Sequence, residues 1–217
     1  MAINDICEIT VVRHGETFSN KQNILQGQDN SLLNENGIQQ AYAAASRLKT
    51  RTFDAVYSSD LKRAMDTADI IAECHPNLKV IGQTSLREWN LGELQGKSYQ
   101  ELYEKYPEIM KAFRKPGNIP RPPGGESIEE FHARVSTFMD ETASANIGKK
   151  LLFVTHGGAM QRMLFHAMGE VSPCNVIPLS DNASISLFRY RGGQWQLVTW
   201  NDTAHLENLQ KHELLVF

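Results

Sequence analysis

The chain has 217 residues, of which 41 % are hydrophobic and 22 % are charged. This composition is typical of a folded globular protein and excludes a disordered or fibrous chain. The 22 Lys and Arg residues against 25 Asp and Glu residues give a formal net charge of −3. Nothing in that balance favours binding to nucleic acid or to an anionic membrane.

The cysteines and the first residues of the sequence indicate in which cellular compartment to expect the protein. Cys7, Cys74 and Cys174 are widely spaced and form neither a disulfide framework nor a zinc-ligand pattern, which fits a reducing compartment. The start of the chain lacks the basic and apolar regions of a secretory signal, and no stretch approaches the ~18 apolar residues of a membrane span. We therefore expect a cytoplasmic protein, and its length favours one domain with a lid-like insertion over two domains.

Short β-branched runs alternate with segments of helical periodicity, which predicts an α/β layered sheet. The last two strands flank Gly192-Gly193, so they predict a hairpin and at least one antiparallel strand. Ser127 and Glu130 have the spacing of a capping box at the start of a helix. The predicted elements are, in chain order, a strand at Glu8–Arg13, a polar loop at Thr17–Asn36, a helix at Gly37–Leu48, a strand at Phe53–Tyr57, a helix from about Asp60, a strand at Leu78–Ile81, a helix from Ser127 to about Asn146, a strand at Leu151–Thr155, a helix through Met160–Met168, and strands at Ser184–Tyr190 and Trp195–Trp200.

The segment from about residue 95 to 125 differs in composition from the rest of the chain. It holds five of the eight prolines, several tyrosines, and six basic against three acidic residues, so its net charge is +3 in a chain of −3. One interpretation is a solvated excursion between core elements. The other is a lid that carries positive potential towards an anionic substrate.

Two predicted strands end in the same kind of junction. Arg13 is followed by His14-Gly15, and Thr155 is followed by His156-Gly157-Gly158. Ligands of open α/β sheets gather outside the carboxyl ends of the strands. Glycines there let backbone N–H groups approach a ligand, and the helix that follows favours an anion at its N-terminus. A single histidine at a strand end is ordinarily a hydrogen-bonded boundary residue, but a matched pair favours a site.

Arginines near these junctions indicate which anion the site would take. Arg13 precedes the first histidine, and Arg63 lies in the first turn of a predicted helix that directly follows a strand. Guanidinium groups match phosphoryl oxygens bidentately and keep their charge. A neutral imidazole is able to attack phosphorus, and a protonated one neutralises an oxygen. The pattern therefore predicts phosphoryl chemistry.

An ordered set of motifs closely resembles the histidine phosphatase superfamily, which comprises the cofactor-dependent phosphoglycerate mutases and their phosphatase relatives. The resemblance extends from residue 9 to about residue 206, and the order of its motifs is more specific than any one of them. The motifs are Arg13-His14-Gly15-Glu16-Thr17, Asn20, Gln26-Gly27, Leu33, Gly37, Ser58-Ser59-Asp60-Leu61-Lys62-Arg63-Ala64, Leu86-Arg87-Glu88, Gly124-Gly125-Glu126-Ser127, Thr155-His156-Gly157-Gly158 and Asn201-Asp202-Thr203-Ala204-His205-Leu206.

The resemblance implies a fold and a single domain. The fold is the three-layer α/β/α phosphoglycerate mutase-like fold, with a mostly parallel sheet, an antiparallel strand and a small lid-like insertion. The domain is one histidine phosphatase domain over residues 1–217, with its insertion at about 95–125. No cofactor and no metal ligand are implied.

The resemblance also implies roles for particular residues. His14 would be the nucleophile that becomes a phosphohistidine, and Glu88 would protonate the leaving oxygen and then activate water. Arg13, Arg63 and His156 would hold the transferring oxygens. The positions implied for substrate binding are Asn20, Gln26, Gly27 and Gly157. For Glu88 the residues leave an alternative, a salt bridge to Arg87 or Arg63.

Within the family, the sequence favours the phosphatases. Mutases resemble one another in a Gly-Trp after the first loop and a His-Tyr-Gly stretch after the acid. This chain has Gln26-Gly27-Gln28 and Trp89-Asn90-Leu91-Gly92-Glu93 instead. Phosphatases often have Trp-Glu-Gly after the acid, where this chain has Leu94-Gln95-Gly96, so no particular relative's substrate carries over.

We therefore predict a metal-independent phosphomonoester hydrolase that acts through a phosphohistidine on a small anionic phosphorylated metabolite. Two alternatives remain, a phosphoglycerate mutase and a non-catalytic protein that senses phosphate or a nucleotide. A metal-dependent hydrolase is disfavoured because the seven histidines lack the spacing of a ligand set. The sequence does not specify the oligomeric state.

Overall fold

A computed structural model describes residues 5–113, 119–169 and 178–209. The strands are β1 (Cys7–Arg13), β2 (Ile24–Leu25), β3 (Ala55–Ser59), β4 (Val80–Gln83), β5 (Lys97–Ser98), β6 (Lys150–Thr155), β7 (Ile185–Arg191) and β8 (Gln194–Asp202). The α-helices are α1 (Phe18–Lys21), α2 (Glu35–Leu48), α3 (Lys62–Ala72), α4 (Tyr99–Lys105), α5 (Pro107–Ala112), α6 (Ile128–Ala145) and α7 (Gly157–Ala167).

Six of the strands form one sheet in the order β4-β3-β6-β1-β7-β8. The first four strands in this order are mutually parallel, and β7 runs antiparallel to both β1 and β8. Gly192 and Gly193 form the two-residue loop between β7 and β8 with φ angles of 55° and 82°, a region that glycine enters without steric cost. The mostly parallel sheet and the terminal hairpin agree with the sequence-based expectation.

Helices cover both faces of the sheet because its central strands are apolar on both sides. On β6, the side chains of Leu151 and Phe153 join a buried cluster with residues of α6 and α7. The alternate residues Leu152 and Val154 join a second cluster with residues of α2 and α3. This alternation follows from the two-residue repeat of a strand and produces the three layers.

The insertion is folded onto the α6/α7 side of the sheet. Residues 97–98 pair with β2, and α4 and α5 follow. Leu102, Met110 and Ile119 are buried in the same cluster as Phe131 of α6. The described part of the insertion therefore shares the core, in contrast to a solvated excursion; residues 114–118 lie outside the described part of the chain.

Several details differ from the sequence-based predictions. The strands β3 (Ala55–Ser59) and β4 (Val80–Gln83) each begin two residues later than predicted. The polar stretch 17–36 is not all loop, because Thr17 caps the short helix α1 and residues 24–25 form β2. Helix α2 begins two residues earlier than predicted, where the Asn34 side chain accepts a hydrogen bond from the backbone N–H of Gly37. The predicted capping box is present on α6, with Ser127 and Glu130 exchanging hydrogen bonds.

Candidate active site

The two histidine junctions meet at one edge of the sheet. Strands β1 and β6 are parallel neighbours in which Arg13 pairs with Thr155, so the next residue of each chain segment leaves the sheet at the same level. The backbone N–H of His14 donates to the Thr155 carbonyl at 2.9 Å. The ring centroids of His14 and His156 are 5.1 Å apart. The paired strands thus place both imidazoles in one crevice, as predicted.

One N–H group of Arg63 fixes the protonation of both rings. Arg63 Nε donates to His14 Nε2 at 3.3 Å and to His156 Nδ1 at 3.2 Å. An imidazole nitrogen that accepts a hydrogen bond carries no proton. The proton of His14 is therefore on Nδ1, which donates to the Gly15 carbonyl at 2.7 Å. His156 Nε2 lies 2.8 Å from the Ser59 hydroxyl at the end of β3.

Burial and positive charge keep both histidines neutral. His14 is 3 % exposed and His156 is completely buried. The pKa of each ring is held well below its usual value of 6.5, first by desolvation and then by the charge of Arg63. A ring with such a pKa is neutral at neutral pH, so Nε2 of His14 carries no proton, and its lone pair accepts the hydrogen bond from Arg63 Nε.

Arg63 connects the histidines to the loop after β2. It lies in the first turn of α3 and is 1 % exposed. Its Nη1 donates to the Asp29 carbonyl and its Nη2 donates to the Gly27 carbonyl, each at 2.7 Å. Burial lowers the pKa of Arg63 to about 10, so the guanidinium stays charged at neutral pH. A fixed cation therefore lies between the two rings.

Arg13 supplies a second buried cation. Its Nη1 donates to the Ser180 carbonyl, and its Nε, which is buried, has no hydrogen-bond partner within the described segments. Desolvation lowers the pKa of Arg13, while the charge of Glu88 opposes that shift. A buried guanidinium N–H without a partner is costly, and an anion in the crevice would satisfy it.

Glu88 reaches the crevice from a loop rather than from the sheet. It follows the short 3₁₀ turn Thr84–Leu86, and its carboxylate accepts two backbone hydrogen bonds at 2.9 Å, from Trp89 and from Gly158. The N-terminus of α7 thus holds this carboxylate beside the histidines. Gly158 permits the contact, since a Cβ atom there would lie 2.3 Å from Glu88 Oε1.

The alternative for Glu88, a salt bridge to Arg87 or Arg63, does not describe the structure. Arg87 pairs bidentately with Asp60, at 2.6 Å and 2.5 Å, and the Nη atoms of Arg63 bind backbone carbonyls. The carboxylate of Glu88 is therefore held by backbone N–H groups, which orient it without a bound cation.

The residues predicted for substrate binding line the same region. Gly27 holds Arg63 through its carbonyl, and a Cβ atom on Gly157 would lie 3.4 Å from Arg13 Cζ. Asn20 and Gln26 are linked through Thr17, whose hydroxyl donates to Asn20 Oδ1 at 2.9 Å and lies 3.0 Å from Gln26 Oε1. Their contacts with a substrate stay a prediction.

Sequence reasoning overlooked two residues near Glu88. Arg162 of α7 lies one helical turn beyond Gly158 and is 3 % exposed. Tyr99 begins α4, and burial raises the pKa of its hydroxyl while the charge of Arg13 opposes the shift. Neither residue belongs to a strand-end motif. The available signal was the aromatic content of the insertion and the four-residue spacing of Gly158 and Arg162, which places them on one helix face.

Across residues 5–113, 119–169 and 178–209, no group of three or more His, Cys, Asp or Glu side chains is arranged to hold a metal ion. Within those same segments, no helix has both the length and the apolar character needed to cross a membrane.

Comparison with known proteins identifies the family. The sequence model of the histidine phosphatase superfamily (branch 1) matches residues 9–203. The chain belongs to this superfamily, and both its predicted family and its predicted α/β fold are confirmed.

Named relatives and a solved structure agree with that assignment. Phosphoglycerate mutase-like protein 4 of Arabidopsis thaliana is 39 % identical over 94 % of this chain and 88 % of its own length. The metal-independent phosphoserine phosphatase of Arabidopsis thaliana is 38 % identical over 95 % of this chain and 86 % of its own length. The native structure of a mycobacterial glucosyl-3-phosphoglycerate phosphatase superimposes with a TM-score of 0.83 at 29 % identity, covering 91 % of this chain and all of its own. The prediction of a histidine-type phosphatase is confirmed by these relatives.

Proposed function

We propose that this phosphatase is metal-independent and that its phosphoryl group passes through His14. The observation that carries the proposal is the N–H of Arg63 shared by His14 Nε2 and His156 Nδ1. It leaves His14 with an unprotonated nitrogen in a crevice that also contains the buried guanidinium of Arg13. Such a nitrogen is a competent nucleophile towards phosphorus, and fixed cations stabilise the charge that develops on the transferring oxygens.

The reaction balances in two steps with Glu88 as the proton carrier. In the first step His14 Nε2 forms an N–P bond, the ester O–P bond breaks, and protonated Glu88 gives its proton to the departing oxygen. In the second step water gives a proton to Glu88 while its oxygen attacks phosphorus. The N–P bond then breaks, its electron pair returns to Nε2, and orthophosphate leaves. The position of Glu88 against the N–H of Gly158 supports this role.

The remaining site residues would complete the phosphate cradle. In this proposal Arg13, Arg63 and His156 hold the transferring oxygens, assisted by Asn20 and the backbone N–H of Gly157. Gln26 and Gly27 form a wall of the crevice that orients Thr17 and Arg63. The hydrogen bonds of Thr17 with Gln26 and of Arg63 with Gly27 support this arrangement.

We also propose that residues 1–217 form one histidine phosphatase domain, with residues 95–125 as an insertion beside the crevice. The burial of Leu102, Met110 and Ile119 in the same cluster as Phe131 supports this organisation. Phe113 of this insertion also contacts Trp89, the residue after Glu88, with their ring centroids 5.3 Å apart.

For the substrate we propose a small phosphomonoester that carries a carboxylate, with phosphoserine as the representative. Two of the similar proteins are named for phosphoserine and for glucosyl-3-phosphoglycerate, and both names describe phosphate esters of small carboxylic acids. Arg162 supports the same substrate class. It is buried on α7 one turn beyond Gly158, whose N–H binds Glu88, and although burial lowers its pKa to about 10 it stays charged at neutral pH, so it places a cation near the proposed acid.

The first experiment measures phosphate release in the presence of EDTA. We expect activity in the wild-type chain, inhibition by vanadate, and a loss of at least about 10⁴-fold in His14→Ala. The control is His75→Gln, a histidine outside the crevice that packs against Phe53. Equal activity in His14→Ala would overturn the nucleophile, and abolition by EDTA would overturn metal independence. Conversion of a phosphoglycerate isomer without phosphate release would favour the mutase alternative.

A matched pair of substrates tests the carboxylate. Phosphoserine and phosphoethanolamine differ only by that group, so their ratio of kcat/KM isolates its contribution. We expect the wild-type chain to favour phosphoserine by about tenfold or more, and Arg162→Met to remove the preference, because a paired charge is the interaction lost. An unchanged ratio in Arg162→Met would contradict the assignment of Arg162 while leaving the His14 chemistry intact.

A further inference from the structure

Arg134 on α6 forms a bidentate ion pair with Glu126, the residue just before the cap of that helix. Arg134 Nε lies 2.8 Å from Glu126 Oε1, and Arg134 Nη2 lies 2.8 Å from Glu126 Oε2. The side chains are 21 % and 19 % exposed. Two parallel N–H···O bonds give such a pair a defined orientation, so the guanidinium is held at one angle to the helix.

The other N–H groups of Arg134 bind the backbone that carries Glu88. Nη1 donates to the carbonyls of Ser85 and Arg87, each at 3.0 Å, and Nη2 donates to the carbonyl of Glu88 itself at 3.1 Å. One planar group therefore spans the chain from Ser85, inside the 3₁₀ turn, to the acid Glu88. A lysine has three donors on a flexible stem and is unable to span these acceptors in one plane.

Glu126 fastens the other side of the same loop. Its Oε2 accepts the backbone N–H of Asn90 at 2.9 Å, and its carbonyl accepts the indole N–H of Trp89 at 2.9 Å. The pair of Arg134 and Glu126 thus contacts the backbone before, at and after Glu88. The loop that carries Glu88 lies between the 3₁₀ turns Thr84–Leu86 and Gly92–Leu94, so its backbone is held by side-chain contacts rather than by the ladder of a helix or strand.

We propose that Arg134 is a positioning residue for the proton transfer at Glu88. It acts through the backbone and touches neither the phosphoryl group nor the histidines. A general acid contributes only when its proton lies within hydrogen-bond reach of the leaving oxygen, and a supporting shell that is too loose loses that geometry. This inference rests on the proposed function, in which Glu88 protonates the leaving group.

The experiment compares two leaving groups in the variant Arg134→Lys. Phosphoserine departs as a strongly basic alkoxide that needs the proton, whereas p-nitrophenyl phosphate departs as a weakly basic phenolate that does not. The quantity to measure is kcat/KM, because it reports only the steps up to leaving-group departure and excludes hydrolysis of the phosphohistidine. Glu88→Gln serves as the reference for complete loss of the acid.

The control variant is Arg121→Lys. Arg121 also pairs with a glutamate of α6, Glu130, but both side chains are 53 % exposed, and its backbone contact is to Gly125 rather than to the Glu88 loop. Melting temperatures of all variants establish that each chain is folded under the assay conditions.

We expect Arg134→Lys to lower kcat/KM for phosphoserine by about tenfold to a hundredfold and that for p-nitrophenyl phosphate by no more than about threefold. Arg121→Lys should leave both values unchanged. Glu88→Gln should have the same selectivity with a larger loss. If Arg134→Lys lowers kcat/KM equally for both substrates while Glu88→Gln is selective, the positioning role of Arg134 is wrong. If Glu88→Gln is itself unselective, the proposed role of Glu88 fails, and the two failures are thereby distinguished.

Discussion

The proposed function divides the crevice into a phosphate side and a leaving-group side, and the structure builds these two sides in different ways. On the phosphate side, four side chains are nearly or completely buried and stand on strand ends or in the first turn of a helix. They are Arg13, His14, Arg63 and His156. On the leaving-group side, Glu88 lies on a loop and is held by backbone N–H groups and by the pair of Arg134 and Glu126.

This difference corresponds to what each side has to recognise. A phosphoryl group is the same in every phosphomonoester, so a rigid and buried set of cations suits it. The leaving group varies between substrates, and loops accept changes of sequence more readily than strands do. The two sides should therefore respond differently to mutation. Phosphate-side variants should impair all substrates equally, and leaving-group-side variants should discriminate by leaving-group basicity.

Among the variants that leave the reacting groups of His14 and Glu88 in place, the largest effect is expected for Arg63→Lys. A lysine offers a single point charge and is unable to bridge the two histidines while binding the carbonyls of Gly27 and Asp29. We expect kcat/KM to fall by about 10² to 10³ for phosphoserine and for p-nitrophenyl phosphate alike. The quantity to compare is the fold-loss in kcat/KM for phosphoserine and the fold-loss for p-nitrophenyl phosphate. A loss confined to phosphoserine would show that the phosphate side and the leaving-group side are not separable.

A smaller effect is expected for Gly158→Ala on the other side of the crevice. The added methyl group would lie 2.3 Å from Glu88 Oε1, so the carboxylate has to move while the fold stays intact. We expect kcat/KM for phosphoserine to fall by about tenfold to a hundredfold, with a small change for p-nitrophenyl phosphate. The melting temperature should change little. An equal loss for both substrates would place Gly158 with the phosphate side instead.

The local geometry of the phosphate side follows largely from the sequence, whereas the roles of its residues stay a prediction. Arg13-His14-Gly15 and Thr155-His156-Gly157 follow short apolar runs, and parallel neighbouring strands bring such junctions to one edge of the sheet. The local pattern therefore contains most of the geometry. The shared N–H of Arg63 was not foreseeable, since it depends on how α3 packs against the sheet.

The leaving-group side was predicted less completely because its geometry depends on distant contacts. Glu88 was identified only through the family motif, and Arg134 was not identified at all. The role proposed for Arg134 depends on its hydrogen bonds to a loop 46 to 49 residues earlier in the chain. Local periodicity in the sequence does not reveal contacts over such a distance. The polar stretch 17–36 has the composition of a loop, and the four-residue helix α1 within it is too short to generate a periodic signal.

The smallest expected effect concerns the free energy of unfolding. It tests how strongly the buried phosphate side suppresses the protonation of its two histidines. Because the pKa of His14 and of His156 is well below 6.5 in the folded chain, the unfolded state binds more protons than the folded state at mildly acidic pH. Stability should therefore be unaffected above about pH 7 and fall as the pH decreases below 6.5, by up to about 1.4 kcal/mol per pH unit for each ring.

The measurement is urea unfolding at pH 7.5, 6.5 and 5.5 in a phosphate-free buffer, with His156→Asn as the comparison. Burial also lowers the pKa of His75, His132 and His205, so the informative quantity is the difference in slope between the two proteins rather than the slope of either. We expect the variant to lose less stability per pH unit, because it lacks one histidine whose protonation the folded state suppresses. Equal slopes would mean that burial and the neighbouring cations do not suppress the protonation of His156 in the folded chain.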